Sequence, residues 1–196
     1  MRPLPFVWPW ALAFWAAFFW SFGRETRIVN RGMAEERETR AQDRGSLFVV
    51  MVSQFVSTFL AIDVAFRWHQ FEIPARQASY WLGIAVLISG ALLRRHCFRM
   101  LGEYFTGNVR VREQQPVIQT GAYRLVRHPS YSAGILMLTG VGLAMGNWMS
   151  LVVNVVVAFA AYLYRVQVEE RALLATIGEP YREYMSRTRR FIPFLF

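Results

Sequence analysis

The sequence contains no lysine: all 22 residues of its Lys+Arg count are arginine. That absence is a matter of composition and carries no chemistry of its own. Its single cysteine, Cys97, excludes an internal disulfide, and the spacing of Cys97 with His69, His96 and His128 matches no metal-ligand pattern, so no metal is expected. No GxGxxG stands where a strand would turn into a helix, which excludes a soluble Rossmann-type nucleotide fold. The most informative absence is local. From Pro129 to Tyr164, 36 residues pass without one Asp, Glu, Lys, Arg or His. As one helix that run would extend about 54 Å, against roughly 30 Å of bilayer hydrocarbon. It is too long to cross once, and Gly146-Asn147-Trp148 at its midpoint supplies turn chemistry and an interfacial aromatic, so the run reads as a hairpin of two short helices.

What is present points the same way. Hydrophobic residues make up 55% of the chain and charged residues only 18%, which defines an integral membrane protein of one domain. Three further uncharged runs, Pro3 to Gly23, Gly45 to Ile62 and Gln77 to Leu93, bring the expected total to five transmembrane helices. The fold class is therefore all-α, with spans at about 4–23, 46–66, 77–95, 131–146 and 148–165. Residues 1–23 are too long in their apolar stretch for a cleaved signal peptide and read as a retained first span.

The charge of +9 raises the question of nucleic acid, and its distribution answers it. Six arginines fall in 24–44, seven in 94–127 and six in 165–190, leaving only Arg2, Arg67 and Arg76 elsewhere. Those three segments alternate correctly with five spans to lie on one face, which the positive-inside rule makes cytoplasmic. The N-terminus is then outside and the C-terminus inside. Basic charge here reports topology and contact with membrane lipids, not a nucleic-acid partner. Residues 24–44 read as a partly helical cytoplasmic loop. The segments 99–130 and 165–196 form a polar cytoplasmic region, the first folding back over the hairpin's polar end. The second continues the last span as a projecting helix until Gly178 and Pro180 stop it, with a short helix following around Tyr181 to Arg187.

Polar chemistry is thus attached to both feet of the hairpin, at Arg127-His128-Pro129-Ser130-Tyr131 and at Arg165 with Glu169-Glu170. Each half has an ordinary explanation: His128 and Ser130 as helix caps, Arg165 and Glu169 as a pair one turn apart on an exposed helix. Taken together in order and spacing, the block VIQTGAYRLVRHPSY (117–131), preceded by LGEYFT (101–106) and followed by EERALLATIGEPYREY (169–184), resembles the isoprenylcysteine carboxyl methyltransferase family and its wider phospholipid-methyltransferase relatives. The resemblance covers roughly residues 80 to 196.

The resemblance implies an S-adenosylmethionine-dependent membrane methyltransferase with its cofactor between the hairpin foot and the C-terminal helices. Carried over by position, the cofactor contacts are Tyr123, His128, Pro129, Ser130, Tyr131 and Glu169, with Gln115, Val117 and Ile118 lining the same pocket. Arg165 faces the methyl acceptor, as the catalytic residue that binds its carboxylate. The acceptor is a lipid-borne carboxylate of the isoprenylcysteine kind, on a small molecule or a prenylated protein. The alternatives are N-methylation of an amino phospholipid headgroup, which would call on Glu170 or another carboxylate as a base, and a lipid-binding membrane protein without turnover. Two departures stand out: Ala122 replaces the usual Pro before Tyr123, and Ala133, followed by Gly134, replaces the usual Gly. Neither removes a side chain with a chemical role.

Overall fold

The computed structural model describes residues 2–23, 43–102 and 115–193, and the expectations for a partly helical loop at 24–42, for the Glu103-to-Thr106 part of the first motif and for the fold-back of 103–114 lie outside them. Among the described residues six α-helices follow one another: α1 (Trp10–Phe22), α2 (Ser46–Arg67), α3 (Arg76–Leu101), α4 (Pro129–Ala144), α5 (Trp148–Thr176) and α6 (Glu179–Arg187). Among the described residues there is no strand, only isolated bridges between Glu72 and Asn147 and between Val126 and Arg189.

Among the described residues three helices, α2, α3 and α5, are long and apolar enough to cross a membrane, and α1 and α4 are shorter apolar helices. The protein is an integral membrane protein of all-α architecture. α1 begins at Trp10 and not near residue 4, because prolines at 3, 5 and 9 remove backbone donors and leave Leu4–Phe6 as a separate 3-10 turn. That turn folds against α1, where Trp15 Nε1 donates to the Pro5 carbonyl at 3.0 Å. α5 runs on well past the uncharged stretch to Thr176. It stops where Gly178 takes a φ of +72° and Pro180 stands in the first turn of α6.

α3 packs mainly on α4, α2 on α5, and α4 on α5. The α3–α4 contact depends on glycine. A Cβ on Gly83 would lie 2.4 Å from the Ala144 nitrogen and one on Gly140 2.4 Å from the Leu87 nitrogen, so the two backbones approach as only small residues allow. Tyr80, Leu87, Met137 and Val141 fill the core beside this seam, with Phe14 of α1 closing it.

The α4–α5 turn is built on Asn147, whose Oδ1 accepts from Met149 and Ser150 backbone N–H groups while its Nδ2 donates to the Trp68 carbonyl. Ile73 N–H donates to the Gly146 carbonyl, and Arg76 reaches the Arg2 carbonyl. The N-terminal segment, the α2–α3 link and the hairpin turn therefore share one end of the bundle. That end holds Arg2, Arg67 and Arg76, the three arginines outside the basic segments, and the foot of the hairpin lies at the other.

Candidate active site at the foot of the hairpin

The foot begins with a turn that proline forces. Pro129 is the first residue of α4 and keeps His128 out of the helix, at φ −123° and ψ 55°. Upstream, Gly121–Arg124 forms a 3-10 turn that buries Tyr123. Tyr184 of α6 holds this turn by donating from its hydroxyl to the Tyr123 carbonyl at 2.6 Å. The C-terminal tail straps the same segment: Arg127 N–H donates to the Arg189 carbonyl, His128 N–H to that of Arg190, and Ser132 Oγ to that of Phe191. Arg94 of α3 donates to the Ser130 carbonyl at 2.6 Å.

Two adjacent carboxylates of α5 face this turn and are treated in opposite ways. Glu170 accepts from Arg127 Nε at 3.0 Å and from Arg190 Nε and Nη2 at 3.0 and 2.8 Å, with His128 Nε2 3.4 Å away. Arg127 also donates to the carbonyls of Met185 and Thr188. Glu170 is thus a buried tie between α5, the His128 turn and the tail. Glu169 accepts one hydrogen bond, from the Tyr131 hydroxyl to Oε2 at 2.7 Å, with His128 Nδ1 at 3.6 Å. Its side chain keeps 29% exposure against 5% for Glu170. Consecutive helical residues point about 100° apart, so one carboxylate turns into the packing while its neighbour stays partly exposed.

His128 stands between the two, its ring stacked on Tyr131 at 5.5 Å, and Tyr131 stacks in turn on Tyr162 at 5.1 Å. Tyr162 fits there because position 134 is glycine, where a Cβ would lie 2.2 Å from the phenol oxygen. Arg165 is 6% exposed and donates from Nε to the Tyr131 hydroxyl at 2.9 Å. Arg165, Tyr131 and Glu169 therefore form one hydrogen-bonded chain, and the turn-apart pair of the sequence is bridged by a tyrosine from α4. From Nη1 the same guanidinium donates to Asp43 Oδ1 at 3.1 Å and Ser46 Oγ at 3.0 Å.

Of the residues singled out by sequence, Tyr123, His128, Pro129, Ser130, Tyr131 and Arg165 are buried and lie together with Glu169. Gln115, Val117 and Ile118 are half-buried in the segment leading to the Tyr123 turn. Sequence reasoning did not find Asp43, Arg190 or Tyr181. Tyr181 carried a signal in the GEPYREY block of the motif, whereas Asp43 had none, since its partner is 122 residues away. Among the described residues no group of three or more His, Cys, Asp or Glu is arranged to hold a metal ion.

The arrangement leaves polar groups for a ligand. Among the described residues the buried hydroxyls of Tyr123 and Tyr181 find no hydrogen-bond partner, although Ser130 lies near the first and both carboxylates near the second. Burial, aided by the Glu169 charge, pushes both phenols well above the usual tyrosine range, so they stay protonated as donors. Unpaired buried hydroxyls are costly, and a polar molecule beside Glu169 would satisfy them.

These features define a helical membrane protein whose polar machinery is concentrated at one end of a hairpin, between a buried arginine and an open glutamate. The chain belongs to the phospholipid methyltransferase family, whose sequence pattern matches residues 78–179. It is similar to protein-S-isoprenylcysteine O-methyltransferase B of Arabidopsis thaliana, 28% identical over 127 residues that cover 62% of this chain and 64% of the relative. The protein-S-isoprenylcysteine O-methyltransferase of Saccharomyces cerevisiae is 29% identical over 116 residues, 58% of this chain and 48% of that one. Among solved structures, the eukaryotic intramembrane Ras methyltransferase, an isoprenylcysteine carboxyl methyltransferase, superposes with a TM-score of 0.57 at 26% identity, covering 76% of this chain and 52% of that one. Across these three comparisons the chain spans 48 to 64% of the relatives' own length.

Proposed function

We propose that this protein transfers a methyl group from S-adenosylmethionine to the carboxylate of an isoprenylcysteine-like acceptor at the membrane, forming a methyl ester. The observation that carries this reading is the Arg165–Tyr131–Glu169 chain at the hairpin foot, in a chain of a methyltransferase family. When bound, S-adenosylmethionine supplies an electrophilic methyl group. Glu169 accepts hydrogen bonds from the cofactor's hydroxyl or ammonium groups, Tyr123 and Tyr181 donate to its acceptors, and His128, Pro129, Ser130 and Tyr131 form the wall, with Gln115, Val117 and Ile118 lining the pocket. Arg165 faces the acceptor and orients its carboxylate. That carboxylate is already ionised near neutral pH, so no residue needs to remove a proton; the protein's work is alignment and exclusion of water. The site lies at the foot of a lipid-embedded hairpin, which suits a substrate delivered on a prenyl chain, small molecule or protein.

An amine acceptor would require a base. Glu170, one carboxylate such a reaction could call on, is already engaged by two guanidinium groups, which removes it as that base and leaves only another carboxylate for the role. We place the hairpin foot and the C-terminus on the cytoplasmic side and the N-terminus outside, five apolar helices crossing in total, because the arginine-poor end of the bundle holds the N-terminal segment.

The test is label transfer from methyl-labelled S-adenosylmethionine, with the purified protein in lipid, to N-acetyl-farnesylcysteine and to phosphatidylethanolamine. Label in the prenylcysteine that mild alkali releases as methanol is expected. Alkali-stable label in phosphatidylethanolamine alone would overturn the assignment.

A further inference from the structure

Asp43 lies outside residues 78–179, the stretch that carries the family pattern, yet its carboxylate reaches the centre of the site. It is 2% exposed and precedes α2 by three residues. Two successive residues with positive φ, Arg44 at 48° and Gly45 at 71°, reverse the chain and return the Asp43 side chain beneath the first turn of α2. There Oδ2 accepts from the Leu47 backbone N–H at 3.0 Å and Oδ1 from Ser46 Oγ at 2.9 Å. The helix start thus fixes the carboxylate twice before it meets Arg165, and the partial positive charge of that helix end favours the anion. Tyr164, the neighbour of Arg165, adds a tie by donating to the Arg44 carbonyl at 3.2 Å.

A buried guanidinium needs both charge compensation and geometry. Asp43 provides the first, and Asp43 with Ser46 fixes Nη1 while Nε is left directed at the Tyr131 hydroxyl, which in turn donates to Glu169. We infer that Asp43 is the positioning residue of the site: through Arg165 it sets the orientation of the acceptor carboxylate. The role rests on the proposed methyl transfer to a carboxylate, and it makes the N-terminal part of the chain a component of the reaction centre as well as a membrane anchor.

The test is a kinetic cycle on the full-length protein with N-acetyl-farnesylcysteine as acceptor. Asp43→Ala should lower kcat by about 100-fold, the cost of a small misplacement of reacting groups, with S-adenosylhomocysteine affinity at the wild-type level by calorimetry. Asp43→Asn keeps an acceptor oxygen for Nη1 and should recover part of kcat. In an Arg165→Gln background Asp43→Ala should have no further effect, because the two residues act as one unit. Ser46→Ala, which removes the hydroxyl touching both partners, serves where Asp43→Ala does not accumulate, and should lower kcat more mildly with the same dependence on Arg165. Wild-type kcat in Asp43→Ala, or an equal loss with and without Arg165, overturns the inference. If the wild-type protein methylates a different acceptor, the proposed function fails while the same cycle on that acceptor still decides the role of Asp43. If it methylates none, melting temperatures decide: losses for Asp43→Ala and Arg165→Gln that simply add overturn the pairing.

Discussion

The two ends of the bundle handle polar groups in different ways. At the turn end, Asn147 satisfies two backbone N–H groups and one carbonyl, Ser150 Oγ donates to the Ala61 carbonyl, and the ion pairs Arg67–Asp63 and His69–Glu72 lie exposed. Asn147 and Ser150 tie the hairpin turn to its neighbours, and the ion pairs are local to α2 and the link that follows it. At the foot, Arg165, Asp43, Glu170 and His128 are buried, and two phenols find no partner among the described residues. Buried charge costs far more than exposed charge, and unsatisfied hydroxyls add to it. On the proposed reading the foot carries this cost for a ligand, except at Glu170, which ties α5 to the His128 turn and the tail.

The largest effect expected from breaking this contrast is at Glu170. Glu170→Ala leaves Arg127 and Arg190 without their carboxylate and should cost about 3–5 kcal/mol of stability, read as a large drop in melting temperature in detergent. The same substitution at Glu169 should cost less, about 1 kcal/mol, since it removes the Tyr131 hydrogen bond and the longer His128 contact but frees no buried guanidinium. Comparable drops for both would erase the distinction between the buried tie and the partly exposed carboxylate.

Arg165→Lys comes next. It keeps the charge and loses the planar fork that Tyr131, Ser46 and Asp43 share. Turnover with a prenylcysteine acceptor should fall by about 2–3 kcal/mol of transition-state stabilisation, with cofactor affinity unchanged. Turnover near wild type would remove Arg165 from the acceptor.

The smallest effect belongs to the turn end. Asn147→Ala deletes a helix cap and should cost about 1–2 kcal/mol of stability with kcat and KM unaltered. A change in kcat there would show that the hairpin turn is coupled to the foot.

The hairpin was legible in the sequence because 36 residues without a charge leave few structural options, and because Gly146-Asn147 and Gly178-Glu179-Pro180 mark the turn and the stop in residue types whose backbone preferences are strong. The arginine distribution likewise separated the two ends. α1 is shorter than expected, since hydrophobicity alone does not register that prolines at 5 and 9 cannot sustain the helix. The difference between Glu169 and Glu170 was invisible: they are neighbours of one type, and only the packing of Arg127 and Arg190 decides which is occupied. Asp43 was invisible for a related reason, because an aspartate before a helix reads as a cap and nothing local announces an arginine on another helix.

The most direct measurement is a calorimetric titration of S-adenosylhomocysteine into the wild-type protein and Glu169→Gln, which keeps the size of the side chain and removes its charge. Binding to the wild type, weakened by about 1–3 kcal/mol in Glu169→Gln, is the expected result. Equal affinity in the two proteins, or no binding by either, would contradict the assignment of the cofactor to the open carboxylate at the hairpin foot.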